Sequence, residues 1–184
     1  MKTENIKKDI DEILISSRQI KKQLKIFGKR IDEDYAGLEP VLISILKGSV
    51  IFLSDLLKNI HIKCSVDFIA LSSYQGKSES SGVVKLVMDL RESIEGRHVV
   101  LVEDIVDTGL SMAYIRDNFL TRHPASFKIC SLLSKKERRK TKINIDYKGF
   151  EIPDKFVVGY GLDYKENYRN LNCVATLKSE VLNE

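Results

Sequence analysis

The chain has 184 residues, 43% of them hydrophobic, which is enough for one ordinary globular domain and too little for two. Its 30 lysines and arginines exceed its 26 acidic residues by a mild margin, which fits a phosphorylated small ligand as easily as nucleic acid. The three cysteines, Cys64, Cys130 and Cys173, lie far apart and form no C-x-x-C pair, which argues against a disulfide scaffold or a zinc site.

The chain also lacks targeting and membrane signals. The first residues, Met1 to Asn5, have no apolar signal core, and no stretch approaches the roughly 18 apolar residues of a membrane span. We therefore expect a soluble, cytoplasmic protein with no membrane partner.

Hydrophobic patterns predict strands that alternate with helices. A capping-box pair, Ser16 and Gln19, precedes apolar residues at helical spacing and predicts an amphipathic helix to about Tyr35. Short apolar runs predict strands at Val41–Leu46, Val66–Leu71, Val83–Met88, Val99–Val102 and Phe127–Leu133. Further helices are predicted at Val50–Leu57 and Met112–Leu120, and a late apolar segment lies at Phe156–Tyr160. This alternation predicts an α/β fold, with a mainly parallel central sheet flanked by helices in one domain.

The most informative segment is Val99–Ser111, where a buried strand leads into Glu103 and Asp104 and then into a turn of small and hydroxyl-bearing residues. Adjacent strand residues point opposite ways, so placing both acids in a core would be costly, and we expect them at the strand end. There they would accept hydrogen bonds from ribose hydroxyls or hold Mg²⁺ through water, while backbone N–H groups of the turn bind phosphate. Taken alone, the acidic pair favours a solvated loop with a helix-capping aspartate.

The whole string resembles the phosphoribosyl pyrophosphate motif of type I phosphoribosyltransferases: four apolar residues, Glu-Asp, two apolar residues and Asp-Thr-Gly-x-Ser. Other segments between Val41 and Arg169 resemble, in the same order, the hypoxanthine-guanine branch of that family. The resemblance implies the type I phosphoribosyltransferase fold, in which N-terminal and C-terminal segments of the single domain 1–184 form a small hood. It implies a Mg²⁺-dependent enzyme of purine salvage. That enzyme transfers the 5-phosphoribosyl group from phosphoribosyl pyrophosphate to hypoxanthine or guanine, giving IMP or GMP and pyrophosphate.

The resemblance also implies a role for individual residues. Phosphoribosyl and phosphate contacts fall on Glu103, Asp104, Asp107, Thr108, Gly109, Leu110 and Ser111, and pyrophosphate contacts on Lys47, Gly48 and Arg169. Purine contacts fall on Lys135, Phe156, Val157 and Asp163, and metal ligands on Glu103, Asp104 and Asp163. The lid dipeptide is Ser73-Tyr74, within a polar loop from Ser72 to Gly82 that we predict to be mobile.

Three of these residues carry the implied chemistry. Asp107 is the predicted catalytic base, which removes the purine N7 proton as N9 attacks the ribose carbon. Lys135 donates to the purine 6-oxygen and so selects oxopurines against adenine, and Phe156 stacks on the base.

Several alternatives stay open from the residues alone. The run Lys135–Lys140 fits a solvated charge cluster or an RNA-binding regulator with the same fold, and the segment from Phe156 fits ordinary core. A preference for xanthine or adenine and a receiver-like signalling domain are further alternatives, of which Asp-Thr-Gly-x-Ser disfavours the second. We expect a homodimer or homotetramer, by resemblance alone, and no nucleic-acid partner.

Overall fold

The computed structural model describes residues 8–73 and 84–183. Its strands are β1 (Ile10–Ile15), β2 (Val41–Leu46), β3 (Ser65–Ser73), β4 (Val84–Met88), β5 (His98–Val106), β6 (Ser126–Ser134), β7 (Tyr147–Glu151) and β8 (Val174–Leu177). Its helices are α1 (Ser17–Asp34), α2 (Val50–Leu57), α3 (Leu110–Leu120) and α4 (Ser179–Leu182). Within the described ranges, no helix is long and apolar enough to cross a membrane.

The central sheet has the strand order β4-β3-β2-β5-β6-β7. Five strands, β3, β2, β5, β6 and β7, run parallel to one another. The sixth, β4, pairs antiparallel with β3 at one edge. The predicted α/β architecture with a mainly parallel sheet is therefore confirmed.

Helix α1 begins as its sequence predicts. The Ser16 hydroxyl accepts a hydrogen bond from the Gln19 amide, and the Gln19 side chain accepts one from the Ser16 amide at 2.9 Å. Because two otherwise free amides of the first turn are satisfied in this way, the helix starts at a defined residue. Its apolar side packs on one face of the sheet with α2.

Strand β5 is buried on both faces, and its alternating side chains enter two different cores. Val100 and Val102 pack towards α1 and α2, whereas Val99 and Leu101 pack towards α3. The helices that follow β2 and β5 thus lie on opposite faces of the sheet, which opens a crevice at the strand ends between them.

The strand β5 is longer than predicted and continues to Val106. It pairs with β2 only as far as Val102, but with β6 up to Val106 opposite Ser134. Pairing with β6 alone extends the strand through both acids, so Glu103 and Asp104 are the part of β5 that lies beyond its pairing with β2.

The chain ends pair with each other outside the central sheet. Strands β1 and β8 are antiparallel and include the partners Ile10 with Leu177 and Ile15 with Val174. The division into one domain with a hood remains a prediction, although this small sheet is built from the two segments assigned to the hood.

Candidate active site

The two carboxylates of β5 lie at the end of the sheet and point to opposite faces. Asp104 is only 7% exposed, and its Oδ1 accepts a hydrogen bond from the Ile105 amide at 2.7 Å. Burial raises the pKa of Asp104 to about 6, and burial together with the neighbouring charge of Asp104 raises the pKa of Glu103 well above its usual value. Two acids that are costly to ionise in the ligand-free protein are typical of a binding site rather than of a solvated loop.

On the face of α3, Glu103 shares a cavity of about 80 Å³ with the turn that follows β5. The lining residues include Glu103, Asp107, Thr108, Gly109 and Ser111. Leu110 is the first residue of α3, and its amide lies 3.4 Å from the Thr108 hydroxyl. The structure therefore brings the predicted phosphate turn and one acid together at the start of a helix, where an anion is stabilised.

Gly109 gives the turn its shape. Its φ is +83°, a left-handed value that glycine adopts readily, and it is the N-cap residue of α3 with no side-chain cap. The alternative in which Asp107 caps this helix is therefore wrong, and the Asp107 carboxylate remains available for other contacts.

On the other face, the loop after β2 packs against Asp104. A Cβ on Gly48 would collide with the Asp104 carboxylate, and a Cβ on Gly161 would collide with the Gly48 carbonyl oxygen. The peptide bond between Leu46 and Lys47 is cis. The buried Ser49 hydroxyl fixes the loop by donating to the Ile45 carbonyl oxygen at 2.6 Å, a contact that the sequence analysis missed.

The predicted pyrophosphate residues meet beside this loop. Arg169 pairs with Asp163 at 2.7 Å and donates to the Gly161 carbonyl oxygen at 2.8 Å. Lys47 pairs with Glu166 at 3.1 Å, and Arg169 also reaches Glu166 at 3.4 Å. The sequence analysis did not identify Glu166, because only the folded chain brings it beside Lys47.

The predicted purine residues do not all lie together: Asp163 pairs with Arg169, whereas Lys135, Phe156 and Val157 have other surroundings. Lys135 is 5% exposed, and its Nζ donates to Asp154 at 3.4 Å. Val157 is buried, whereas Phe156 is 49% exposed and meets the Tyr164 ring edge-on at 5.7 Å. An exposed aromatic face such as that of Phe156 is suited to stack on a flat ligand.

The interpretation of Lys135 as part of a solvated charge cluster is wrong, because Lys135 is buried. Lys136, Glu137, Arg138 and Lys140 are exposed, but Arg138, Arg139 and Lys140 each contact the end of β5 or the turn that follows it. The Arg138 guanidinium lies 3.3 Å from Asp107 and 3.6 Å from Asp154. The Arg139 guanidinium donates to the Ser134 hydroxyl at 2.8 Å, and the Lys140 amide donates to the Thr108 carbonyl oxygen at 2.9 Å.

The described residues fit a magnesium ion that is completed by its ligand. Among them, no group of three or more His, Cys, Asp or Glu side chains converges on one point. Mg²⁺, however, usually takes one or two carboxylates and completes its shell with water and phosphate oxygens. Glu103 Oε2 is buried without a hydrogen-bond partner among the described residues, so this oxygen is free to accept such a ligand.

The predicted lid is only partly within the described residues. Ser73 is the last residue of β3, and Tyr74 lies outside the described ranges. The lid therefore stays a prediction.

Comparison with known proteins identifies the family. The sequence profile of the phosphoribosyl transferase domain matches residues 9–165. The chain belongs to the phosphoribosyltransferase family.

Individual phosphoribosyltransferases resemble the chain over nearly its whole length. The hypoxanthine-guanine phosphoribosyltransferase of Streptococcus pneumoniae is 48% identical over 96% of this chain and 98% of its own. That of Lactococcus lactis is 44% identical over 100% of both chains. The crystal structure of a Staphylococcus aureus hypoxanthine phosphoribosyltransferase superposes with a TM-score of 0.92 at 44% identity, over 96% of each chain. These relatives confirm the resemblance to the hypoxanthine-guanine branch and the prediction of a phosphoribosyltransferase enzyme.

Because Asp104 is buried, we predict that the stability of this phosphoribosyltransferase depends on pH. Because its pKa is raised on folding to about 6, Asp104 stabilises the fold fully only below its unfolded pKa, and this contribution is lost as the pH rises through about 6. Asp104→Asn should therefore increase the free energy of unfolding of the ligand-free protein at pH 7.5 by about 2 kcal/mol, with little change at acid pH.

Urea denaturation between about pH 3.5 and 8 measures this effect, because the range must extend below the unfolded pKa of an aspartate, about 3.9. The matched control is Asp117→Asn on the exposed side of α3, which pairs with Arg116 at the surface and should change stability little at any pH. Equal stability of Asp104→Asn and wild type at pH 7.5 would contradict the prediction.

Proposed function

We propose that the chain is a hypoxanthine-guanine phosphoribosyltransferase of purine salvage. It transfers the 5-phosphoribosyl group of phosphoribosyl pyrophosphate to hypoxanthine or guanine and releases pyrophosphate. The observation that carries this proposal is the cavity shared by Glu103 and the turn Asp107–Ser111, where an acid for the sugar meets a helix start for the phosphate. The names of the relatives support the same substrates.

The phosphoribosyl group is bound from two faces of β5. The amides and hydroxyls of Thr108 to Ser111 bind the 5′-phosphate, and Glu103 and Asp104 accept hydrogen bonds from the ribose hydroxyls. Lys47, Gly48 and Arg169 bind the pyrophosphate group. Glu103 and Asp104 would hold Mg²⁺ through water, each on its own face of β5, and Asp163 would join a second Mg²⁺ site. Mg²⁺ would neutralise charge on the leaving pyrophosphate.

The purine lies between Phe156 and the turn. Phe156 stacks on the ring, the backbone of Val157 bonds its edge, and Lys135 donates to the 6-oxygen. Burial of Lys135 makes this donor selective, because an adenine amino group would set a second donor against the buried ammonium where an oxopurine offers an acceptor.

Asp107 acts as the general base. As the bond between the ribose carbon and pyrophosphate breaks, the carbon gains positive charge and purine N9 attacks it, while the Asp107 carboxylate accepts the N7 proton. Arg138 lies 3.3 Å from this carboxylate. The lid, with Ser73 and Tyr74, would exclude water from this step.

A direct assay tests the proposal. The protein is incubated with phosphoribosyl pyrophosphate, Mg²⁺ and each of hypoxanthine, guanine, xanthine and adenine, and nucleotide formation is followed. We expect IMP and GMP, with little AMP, and we expect chelation of Mg²⁺ to stop the reaction. If no base gives a product, the chain is a binding module with a phosphoribosyltransferase fold.

Asp107→Asn tests the general base. Loss of the proton acceptor should lower kcat by about 10²–10⁴-fold, with KM for phosphoribosyl pyrophosphate changed little. Thermal denaturation is the control, because the residue does not cap α3 and the fold should keep its stability. Turnover equal to that of wild type would remove the assigned role.

Lys135→Met tests purine selection. Removing the buried donor should lower kcat/KM for hypoxanthine by about 10–100-fold and reduce the discrimination against adenine. The control is Lys136→Met, at the adjacent exposed position, which should behave like wild type. Unchanged purine selectivity in Lys135→Met would contradict the role of this lysine.

The assembly and location are further predictions. A homodimer or homotetramer and a cytoplasmic location are expected from the resemblance, and the order of preference among hypoxanthine, guanine and xanthine is an outcome of the assay above.

A further inference from the structure

Glu166 adds a negative charge to the residues that the proposed function assigns to pyrophosphate. Its two carboxylate oxygens face different cations, with Oε2 3.1 Å from Lys47 Nζ and Oε1 3.4 Å from the Arg169 guanidinium. A glutamate is ionised at neutral pH, and the hydrogen bond and charge of Lys47 lower the pKa of Glu166 further. An acid in this position occupies the same charges that an anionic ligand would need.

The backbone holds Glu166 in this position. Tyr164 and Asn167 exchange backbone hydrogen bonds of 3.2 and 2.9 Å, which close a tight turn around Lys165 and Glu166. Both central residues have left-handed φ values, 50° and 63°, which are uncommon for residues with a Cβ. The Glu166 amide also donates to Asp163 Oδ2 at 2.9 Å. The turn therefore fixes the backbone of Glu166 close to Lys47 and Arg169, and the side chain, which is 67% exposed, reaches both cations from there.

We propose that Glu166 is an internal counter-anion that competes with pyrophosphate for Lys47 and Arg169. This inference rests on the proposed function, because it takes these two residues as the pyrophosphate site. Pyrophosphate, with several negative charges, displaces the single carboxylate, and the two ion pairs form again when pyrophosphate leaves. Glu166 thereby weakens pyrophosphate binding and assists its release, without touching the 5′-phosphate turn around Gly109.

If Glu166 competes with pyrophosphate, removing its charge should increase the affinity for pyrophosphate. Glu166→Gln keeps the shape of the side chain and removes its charge, so the dissociation constant of pyrophosphate should fall about three- to tenfold at low ionic strength. The gain should shrink as salt is added, because exposed charges are screened. The dissociation constant of IMP, whose phosphate binds at the turn after β5, should stay within about twofold of wild type.

Isothermal titration calorimetry with sodium pyrophosphate and with IMP, each with and without Mg²⁺, measures these constants on the full chain. Glu166→Asp retains the charge on a shorter side chain and should lie between wild type and Glu166→Gln. The matched control is Glu33→Gln on α1, where Glu33 forms a comparable exposed pair with Lys29 at 3.7 Å and should not affect pyrophosphate.

Two further variants separate this inference from the proposed function. Lys47→Ala and Arg169→Ala should each weaken pyrophosphate binding. If wild type does not bind pyrophosphate, or if these two variants bind it as wild type does, the pyrophosphate site itself is wrong. If they weaken binding while Glu166→Gln binds equally or more weakly than wild type, the site is right and the counter-anion role of Glu166 is overturned.

Discussion

Asp104 lies almost completely inside the protein, and its carboxylate fills the space where Gly48 has no Cβ. Ionising a carboxylate at such a position is costly, and of the nearby charges Arg169 lowers its pKa while Asp163 raises it. Gly48 in turn accepts the close approach of Gly161, whose φ is +105°. The loop after β2, the end of β5 and the segment around Gly161 are therefore packed against one another.

The end of β5 explains why the site has two sides. Beyond Val102 the strand loses its partner β2 but keeps β6, so it extends into the crevice with one edge open. The alternation of the strand directs Glu103 to the phosphate turn and Asp104 to the loop after β2. One short segment of backbone thus presents one acid to each side of the crevice.

The sequence predicted the elements that are encoded locally. The apolar runs of β2, β5 and β6 and the capping pair Ser16 and Gln19 need no distant information. Strand β7 was missed because it lies at an edge and carries Lys148 and Gly149, which interrupt any apolar pattern. Strands β1 and β8 were missed because each is stabilised by the opposite end of the chain. Glu166 and Arg138 were missed for the same reason, because their contacts with Lys47 and Asp107 form only in the folded chain. The roles assigned to the site residues remain predictions.

Charges in the site alternate in sign, and this alternation determines how ligands can bind. Asp154 lies within reach of both Lys135 and Arg138, and Arg138 also reaches Asp107. On the pyrophosphate side Glu166 is shared by Lys47 and Arg169 in the same way. Because these cations already have anionic partners, a ligand exchanges partners instead of neutralising bare charges, and the net gain in free energy is modest. An enzyme that must release a highly charged product benefits from this exchange, since very tight binding of pyrophosphate would slow each cycle.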